Sequence, residues 1–526
     1  MSSRGLSPKI AEETLIAIAE YGTQVAASAA LGIPRETFQS RLRTAKRMQA
    51  KEEAESTLDT RPFLKALKAK RHKRLVVTWA QNATPVHEPF LNSLLRFCRE
   101  QRAQLVVIPG RYRNPTSRYT RDLDEDNWWD KAIEPYLLDR KFEVNRNLVI
   151  LADIKIQPTA VRPLTGFETI SGSRSAVLGH AKIEYKTVPT PHESEAKIVT
   201  TTGAVTKKNY IDSKAGKKGE FHHIQGACLI EVDGDQFFLR QLNATRDGSF
   251  IDLDREYTPT CSRKAKPAAA IMLGDVHVQF ADPTATAATF GKGGMVQLLK
   301  PQQLVWHDVL DFYSRSHHHR GDAFTNLAKH RAGLDDVAAE LDRTFAYMDE
   351  HTPPGVKNIV VASNHHEHFR RWICECDPRL DPKNLMIWAE TFLAMGAASH
   401  MTEAGAETID PFAFWGKRRL KCAARTRFLR RDESYLIKGI EHGFHSDCGP
   451  NGSRGSIVSF TRIGSKANIG HGHGPGIFDS VYQGGTLSRL ERDYLRGPSG
   501  WMHTNIVTYA NGKRCLYSSI NGRWRS

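Results

Sequence analysis

Eight side chains in the second half of the sequence are of the types that hold divalent metals or move protons. They are Asp275 and His277 in LGDVHVQF, Asp308 in WHDVLDF, Asn364 and His365 in SNHHE, His442 in IEHGFH, and His471 and His473 in IGHGHG. Carboxylates, imidazoles and an amide oxygen together make a mixed ligand set suited to Mn²⁺, Mg²⁺ and similar ions. Two such ions about 3.5–4 Å apart can clamp a phosphate ester and turn a bound water into a nucleophile. Any one piece is common. Five in this order, each after an apolar run, point to a single site.

The elements that must position them are strands ending in turns. Ala268–Leu273 reads as a buried strand running into Gly274-Asp275-Val276-His277, where alternate side chains of D-x-H point the same way. Leu304–Trp306 leads into His307-Asp308, and Asp308 at that strand end can bridge two ions. Asp311 is expected to brace the loop or a ligand from behind. NIVVA leads into Ser363-Asn364-His365-His366-Glu367. There the Asn364 amide oxygen is a hard-metal ligand, His365 can protonate a leaving oxygen, and Glu367 can orient that imidazole. YLIKGI precedes Glu441-His442-Gly443-Phe444-His445. His442 and His445 compete for one ligand position; His442, first after the strand, is the expected ligand and His445 the supporting residue. Glycines around His471 and His473 let the backbone turn both rings inward.

These pieces make residues 270–485 resemble the calcineurin-like metallophosphoesterase superfamily, which includes Mre11-type nucleases. Its usual signatures are D-x-H, G-D-x-x-D, G-N-H-[DE], a lone H and G-H-x-H. The resemblance implies a two-sheet α/β sandwich with ligands on loops at strand ends. It also implies one ion held by Asp275, His277, Asp308 and His473, a second held by Asp308, Asn364, His442 and His471, and His365 as general acid. The sequence departs from the pattern at His307 and Ser363, where the family has glycine, and at His366, where it has an acid.

The rest of the chain narrows the substrate. With 74 basic and 58 acidic residues the formal charge is +16, which suits a polyanionic partner, nucleic acid above all. Residues 1–50 are expected to form a small all-α domain. Ser7-Pro8 starts a helix, and QVAASAALGIPRETFQSRL (24–42) resembles a helix-turn-helix. In it Val25, Ala27 and Leu31 line one face, Gly32 makes the turn, and Phe38 and Leu42 face back. Arg35, Thr37, Gln39, Ser40 and Arg43 would then be presented to a DNA groove. Residues 51–74 read as a basic linker in which Lys70 and Arg71 can meet phosphates. Arg454, in the glycine-rich loop Cys448–Gly455, is a further candidate DNA contact, and Ser316–Arg320 can also meet phosphates.

Residues 75–265 alternate strand, helix and strand, which predicts an α/β domain of unassigned role ahead of a catalytic domain at 266–526. NATPVHEPF and RYRNPTSRY read as turns, and DSKAGKKGEFHH as a loop. No internal repeat is visible. No run of 18 apolar residues exists, so no membrane span is expected. MSSRGLSPKI lacks an apolar signal core, and the eight cysteines form no CxxC pair. A cytoplasmic protein is expected, in the host cytoplasm if phage-encoded.

Together these observations predict a DNase using two divalent ions, Mn²⁺ first among them, with DNA as partner and homo-oligomerisation left open. The ensemble also resembles large early proteins that T5-like phages use to degrade host DNA. A phosphatase on phosphoproteins or small esters, and a DNA-binding regulator with a purely structural phosphoesterase fold, stay as alternatives.

Overall fold

The computed structural model describes residues 7–57, 59–112, 128–191, 194–403, 405–491 and 497–525, without the side chains of Pro8 and residues 47–57. Residues 113–119 of RYRNPTSRY lie outside the described residues. The fold is mixed α/β, with five sheets and fourteen α-helices among the described residues. None of these helices is long and apolar enough to cross a membrane.

The chain opens with α1 (Pro8–Tyr21), α2 (Gln24–Ala30) and α3 (Arg35–Thr57). Ser7 and Thr23 cap the first two by accepting from the amides of Ile10 and Ala26. Gly32, at φ 62°, makes the turn into α3. Ala17, Ala27, Phe38 and Leu42 form a small core of their own. Val25 does not join it: this side chain is exposed, because α2 is too short to bury two faces. Residues 51–74 are not an open linker. α3 continues to Thr57, and α4 (Arg61–Ala69) follows, seating Leu67 in the main core. Lys70 and Arg71 are exposed just beyond it.

Strand β1 (Arg74–Ala80), helix α5 (Glu88–Glu100) and strand β2 (Gln104–Pro109) follow the expected alternation. Then come β3 (Lys141–Glu143), β4 (Leu148–Leu151), β5 (Ser175–Leu178), β6 (Tyr185–Val188), β7 (Lys197–Thr201), β8 (Gly226–Asp233) and β9 (Gln236–Asn243). The segment expected to be a loop, DSKAGKKGEFHH, is instead a helix over Lys214–His222, capped by Ser213. Its glycines serve packing: a Cβ at Gly219 would come within 2.6 Å of the Tyr210 ring.

A three-stranded meander, β10 (Phe250–Asp252), β11 (Arg255–Tyr257) and β12 (Ser262–Lys264), leads to β13 (Ala270–Met272), β14 (Gln303–Trp306) and β15 (Lys357–Val360). After the hairpin β16 (His400–Thr402) and β17 (Gly405–Glu407) come β18 (Thr426–Phe428), β19 (Leu436–Ile437), β20 (Ile440–Glu441), β21 (Lys466–Ile469), β22 (Gly476–Phe478), β23 (Val481–Gln483), β24 (His503–Thr508) and β25 (Arg514–Ser519).

The larger sheets run β2-β1-β8-β9, β18-β15-β14-β13-β24-β25 and β19-β20-β21-β23-β22-β6-β7-β5-β4-β3. The last takes five strands from each side of residue 265, joined where β6 pairs antiparallel with β22, so the boundary expected there is crossed by strand pairing. Alternation explains the layers. Ile271, Leu304 and Val360 point to helices carrying Leu341, Phe345 and Phe369. Met272, Val305 and Ile359 point the other way, into a core shared with Val177, Ile198 and Tyr482 of the ten-stranded sheet. Trp79 and Ile230 of the four-stranded sheet fill that same core.

One buried ion cluster locks β9 in place. Arg240 bonds Glu231 at 2.5 Å and Asp252 at 2.7 Å, with all three residues buried. Removing the arginine takes the cation from buried Asp252 and leaves Glu231 with Arg74. Arg240→Ala is therefore expected to cost about 3–5 kcal/mol, measured by urea denaturation.

Candidate metal centre

The loops at the ends of β13, β14, β20 and β21 meet at one point. Asp275 follows β13 closely and is pinned by backbone bonds, its N–H donating to Gly485 O (3.0 Å) and its carbonyl accepting from Leu487 N (2.9 Å). Two residues on, His277 N donates to Asp308 O at 2.7 Å, tying the first two pieces together. Gly470 is required by the site: a Cβ there would stand 2.5 Å from Asp275 Oδ1.

Asp275, His277, Asp308 and His473 are all buried, with ligand atoms within 4.8 Å of one another. His277 Nε2 and His473 Nε2 face each other at 3.1 Å, and His473 Nε2 is 3.1 Å from Asp275 Oδ2. A second group, Asp308, His445 and His471, shares Asp308 with the first. His445 Nε2 lies 3.0 Å from Asp308 Oδ2. A third, overlapping group adds His307 to Asp275 and His445.

Backbone conformation marks the same residues. His277, Asp308, His471 and His473 have φ of 47°, 43°, 64° and 52°, in the left-handed region that costs a non-glycine residue about 1–3 kcal/mol. Buried polar atoms are also left without hydrogen-bond partners: Asp275 Oδ1, Asp308 Oδ1 and Asn364 Oδ1. The orphaned carboxylate oxygens of Asp275 and Asp308, grouped with imidazole nitrogens, fit divalent cations.

The supporting residues sort as follows. Asp311 Oδ1 accepts from His277 Nδ1 at 2.9 Å, and its Oδ2 accepts from Gln279 N at 3.1 Å. That bond fixes the proton on Nδ1 and leaves Nε2, the nitrogen that faces the centre, as the ligating atom. His365 Nδ1 is 3.2 Å from the carbonyl of Asp311, and its ring lies 4.9 Å from that of His277. The carbonyl of Asp311, not Glu367, therefore orients His365. Glu367 is exposed, one of the outward positions on the helix Asn364–Glu375.

His442 is not brought to the centre. Its Nδ1 bonds Ile440 O at 2.8 Å and its Nε2 meets Asn468 Nδ2 at 2.9 Å, so both nitrogens are used. Strand β20 holds only two residues, and His442 still lies in line with it, facing β21. The chain reaches the centre three residues later, at His445. Burial pushes the His442 imidazole down to about 4. Burial also opposes charging His445, but the carboxylates of Asp308 and Asp275 outweigh it and lift that imidazole to about 9. His445→Ala is thus expected to weaken Mn²⁺ binding by at least about 10–100-fold, the cost of losing even an outer partner. His442→Ala is expected to keep the ions and cost about 1–3 kcal/mol for the hydrogen bonds it breaks. Calorimetric titration with Mn²⁺ and denaturation of both variants check this.

The His445 shift also sets a pH dependence. Its folded value lies above its ordinary 6.5, so its stabilising charge is fully present below pH 6.5 and is lost as pH rises through about 9. Chelator-treated protein should lose that stability over this window. Metal affinity should rise over the same window, because proton and ion compete for one nitrogen. Thermal denaturation with and without chelator measures both.

The structure brings into candidate ligand groups two residues that the sequence reading did not favour as ligands, His307 and His445. Both adjoin a recognised piece, and strand length is the signal that separates His445 from His442. Arg454 is exposed on the loop after His445, while Arg35, Thr37, Gln39, Ser40 and Arg43 are exposed on α3.

No protein-family model matches the chain. Protein A1 of Escherichia phage T5 is 34% identical over 468 residues, covering 86% of this chain and 83% of that protein. The crystal structure of Chaetomium thermophilum Vps29 aligns with 36% of this chain and 95% of its own, at 12% identity and a TM-score of 0.20, too low to argue a shared fold.

Proposed function

The chain belongs to the family of Protein A1 of Escherichia phage T5, and on that premise we propose that it is a two-metal phosphodiesterase that cuts DNA. The observation that carries this is the convergence of Asp275, His277, Asp308, His445, His471 and His473, with orphaned carboxylate oxygens, on one point. Asp275, His277, Asp308 and His473 would hold one ion, and Asp308, His445 and His471 the other, with the orphaned Asn364 Oδ1 a further candidate ligand. When bound, two divalent ions polarise a phosphate and lower the pKa of a water between them. Mn²⁺ suits this mixture of imidazole and carboxylate. The facing six- and ten-stranded sheets support a metallophosphoesterase sandwich.

The chain's own groups supply the rest. His365 donates its Nδ1–H to the Asp311 carbonyl, so Nε2 is the atom that hands a proton to the departing sugar oxygen. Asp311 keeps His277 in its ligating tautomer. The +16 charge and the exposed face of α3, with Lys70 and Arg71 beyond α4, favour a polyanion. On this account α2 and α3 act as a helix-turn-helix that holds DNA near the centre, and the substrate is host DNA in an infected cell.

Turnover of an aryl phosphate and of linear duplex DNA, each in the presence of the other, tests the substrate. A DNase should cut DNA and lose any aryl phosphate turnover to DNA competition. Aryl phosphate turnover indifferent to DNA would establish a phosphatase instead. Sequence-specific DNA binding that survives chelator, without cleavage, would establish a regulator.

A further inference from the structure

We propose that His317, His318 and His368 form a third cation site, of the zinc class, beside the metal centre. His317 and His318 lie in a short helical turn, His317–His319, after the Asp311 loop. His368 is one turn beyond Asn364 and His365 on the helix Asn364–Glu375. One nitrogen from each imidazole lies within 4.8 Å of the others. The His317 ring centroid is 3.8 Å from that of His318 and 4.3 Å from that of His368. Nδ1 of both His317 and His368 is buried without a hydrogen-bond partner.

Burial and the neighbouring imidazoles push all three away from the charged form, His368 down to about 3, so they are neutral ligands at pH 7. Three imidazoles without a carboxylate select zinc over Mn²⁺ or Mg²⁺, and three protein ligands leave a fourth position open. A cleft of about 410 Å³ adjoins it, lined by His317, His368, Arg320 and Arg371 together with Glu375, which gives a ligand access to that position. The His365 ring stands 5.0 Å from His368, so this ion sits one imidazole from the proposed centre.

The test is a metal count on chelator-stripped full-length protein reloaded with Mn²⁺ and Zn²⁺, with Co²⁺ absorption to read a tetrahedral site. Wild type should hold three ions per chain. His318→Ala, at an exposed position, and His368→Ala should each hold two and lose the tetrahedral Co²⁺ bands. Asp308→Ala should keep those bands. Two ions in wild type, or bands unchanged in both histidine variants, overturns the site. Loss of bands in Asp308→Ala alone would place the tetrahedral ion in the main centre, which also overturns it.

The ten-stranded sheet reads the same outward from β6–β22 in both directions: β6, β7, β5, β4, β3 on one side and β22, β23, β21, β20, β19 on the other. The pairing senses match strand for strand. The flanking sheets match too, with β2-β1-β8-β9 corresponding to β14-β13-β24-β25. Single hydrogen bonds repeat. Trp79 bonds Gly203 O and Val205 N as Asp275 bonds Gly485 O and Leu487 N. We infer that residues 74–243 are a diverged, metal-free copy of the fold of residues 270–519.

In that copy Trp79 stands for Asp275 and Gln81 for His277. The β2 end, Ile108-Pro109-Gly110, offers no acid for Asp308. Gly179-His180-Ala181-Lys182 stands for Gly470-His471-Gly472-His473, after strands whose last residues pair alike. His180 survives but stacks on Trp79, and Lys182 is buried against Asp479 of the β22–β23 turn. The Lys182 ammonium thus ties one copy to the other through Asp479 and the Phe478 ring. Anomalous diffraction from Mn²⁺-soaked crystals should show peaks at Asp308 and none at His180. Lys182→Ala should lower the melting temperature without changing the ion count. A peak at His180, or ions lost with Lys182, overturns the inference.

Discussion

Asp308→Ala should lower DNA cleavage by at least about 10⁴-fold, since without the ions the attacking water returns from a pKa of about 7 to 15.7. Asp308 is the one side chain common to both candidate ligand groups, so its loss should empty both positions. The fold should survive. Asp308 Oδ1 has no hydrogen-bond partner to lose, and its backbone carbonyl, which accepts from His277 N, remains. Alanine keeps the left-handed backbone and loses the His445 pairing at Asp308 Oδ2, while repulsion with Asp275 is relieved, so the metal-free variant should stay folded with a melting temperature somewhat below that of metal-free wild type. Metal analysis, cleavage rate and melting temperature together check this; an emptied centre with unchanged cleavage would separate the ions from the chemistry.

His365→Ala should lower cleavage by about 10²–10⁴-fold, the usual worth of a positioned general acid, while the ion content stays at the wild-type value. The split follows from geometry: His365 bonds a carbonyl and packs on His277, but belongs to neither ligand group built on Asp308. A discriminating substrate is a phosphodiester with a nitrophenyl leaving group, which needs no proton. On it the variant should recover most of its rate. Equal loss on both substrates would make His365 a positioning residue for the ions.

How far the sequence speaks for itself depends on which force set each feature. The pieces around Asp275, Asp308, Asn364 and His471 were legible because each couples an apolar run to a tight turn, and the turn alone decides where the side chain points. The choice of His445 over His442 was not, because it depends on β20 ending after two residues and on Asn468 waiting across the sheet to bond His442. The helix Lys214–His222 was hidden by glycines that read as loosening but serve close packing on Tyr210. The repeated fold was invisible for a similar reason. Most of its ligand positions carry other residues, and among the described residues β15 through β18 belong to the second copy alone. What persists between the copies is strand pairing, which leaves little trace in residue identity. The α3 face was readable, since Phe38 and Leu42 at i and i+4 fix which side is buried.

The most direct test of a metal-dependent DNase is cleavage of supercoiled and linear duplex DNA by the full-length protein with Mn²⁺, with chelator, and by Asp308→Ala with Mn²⁺. Cleavage is expected in the first case and not in the other two. No cleavage by wild type across divalent ions, or equal cleavage by wild type and Asp308→Ala, would contradict it.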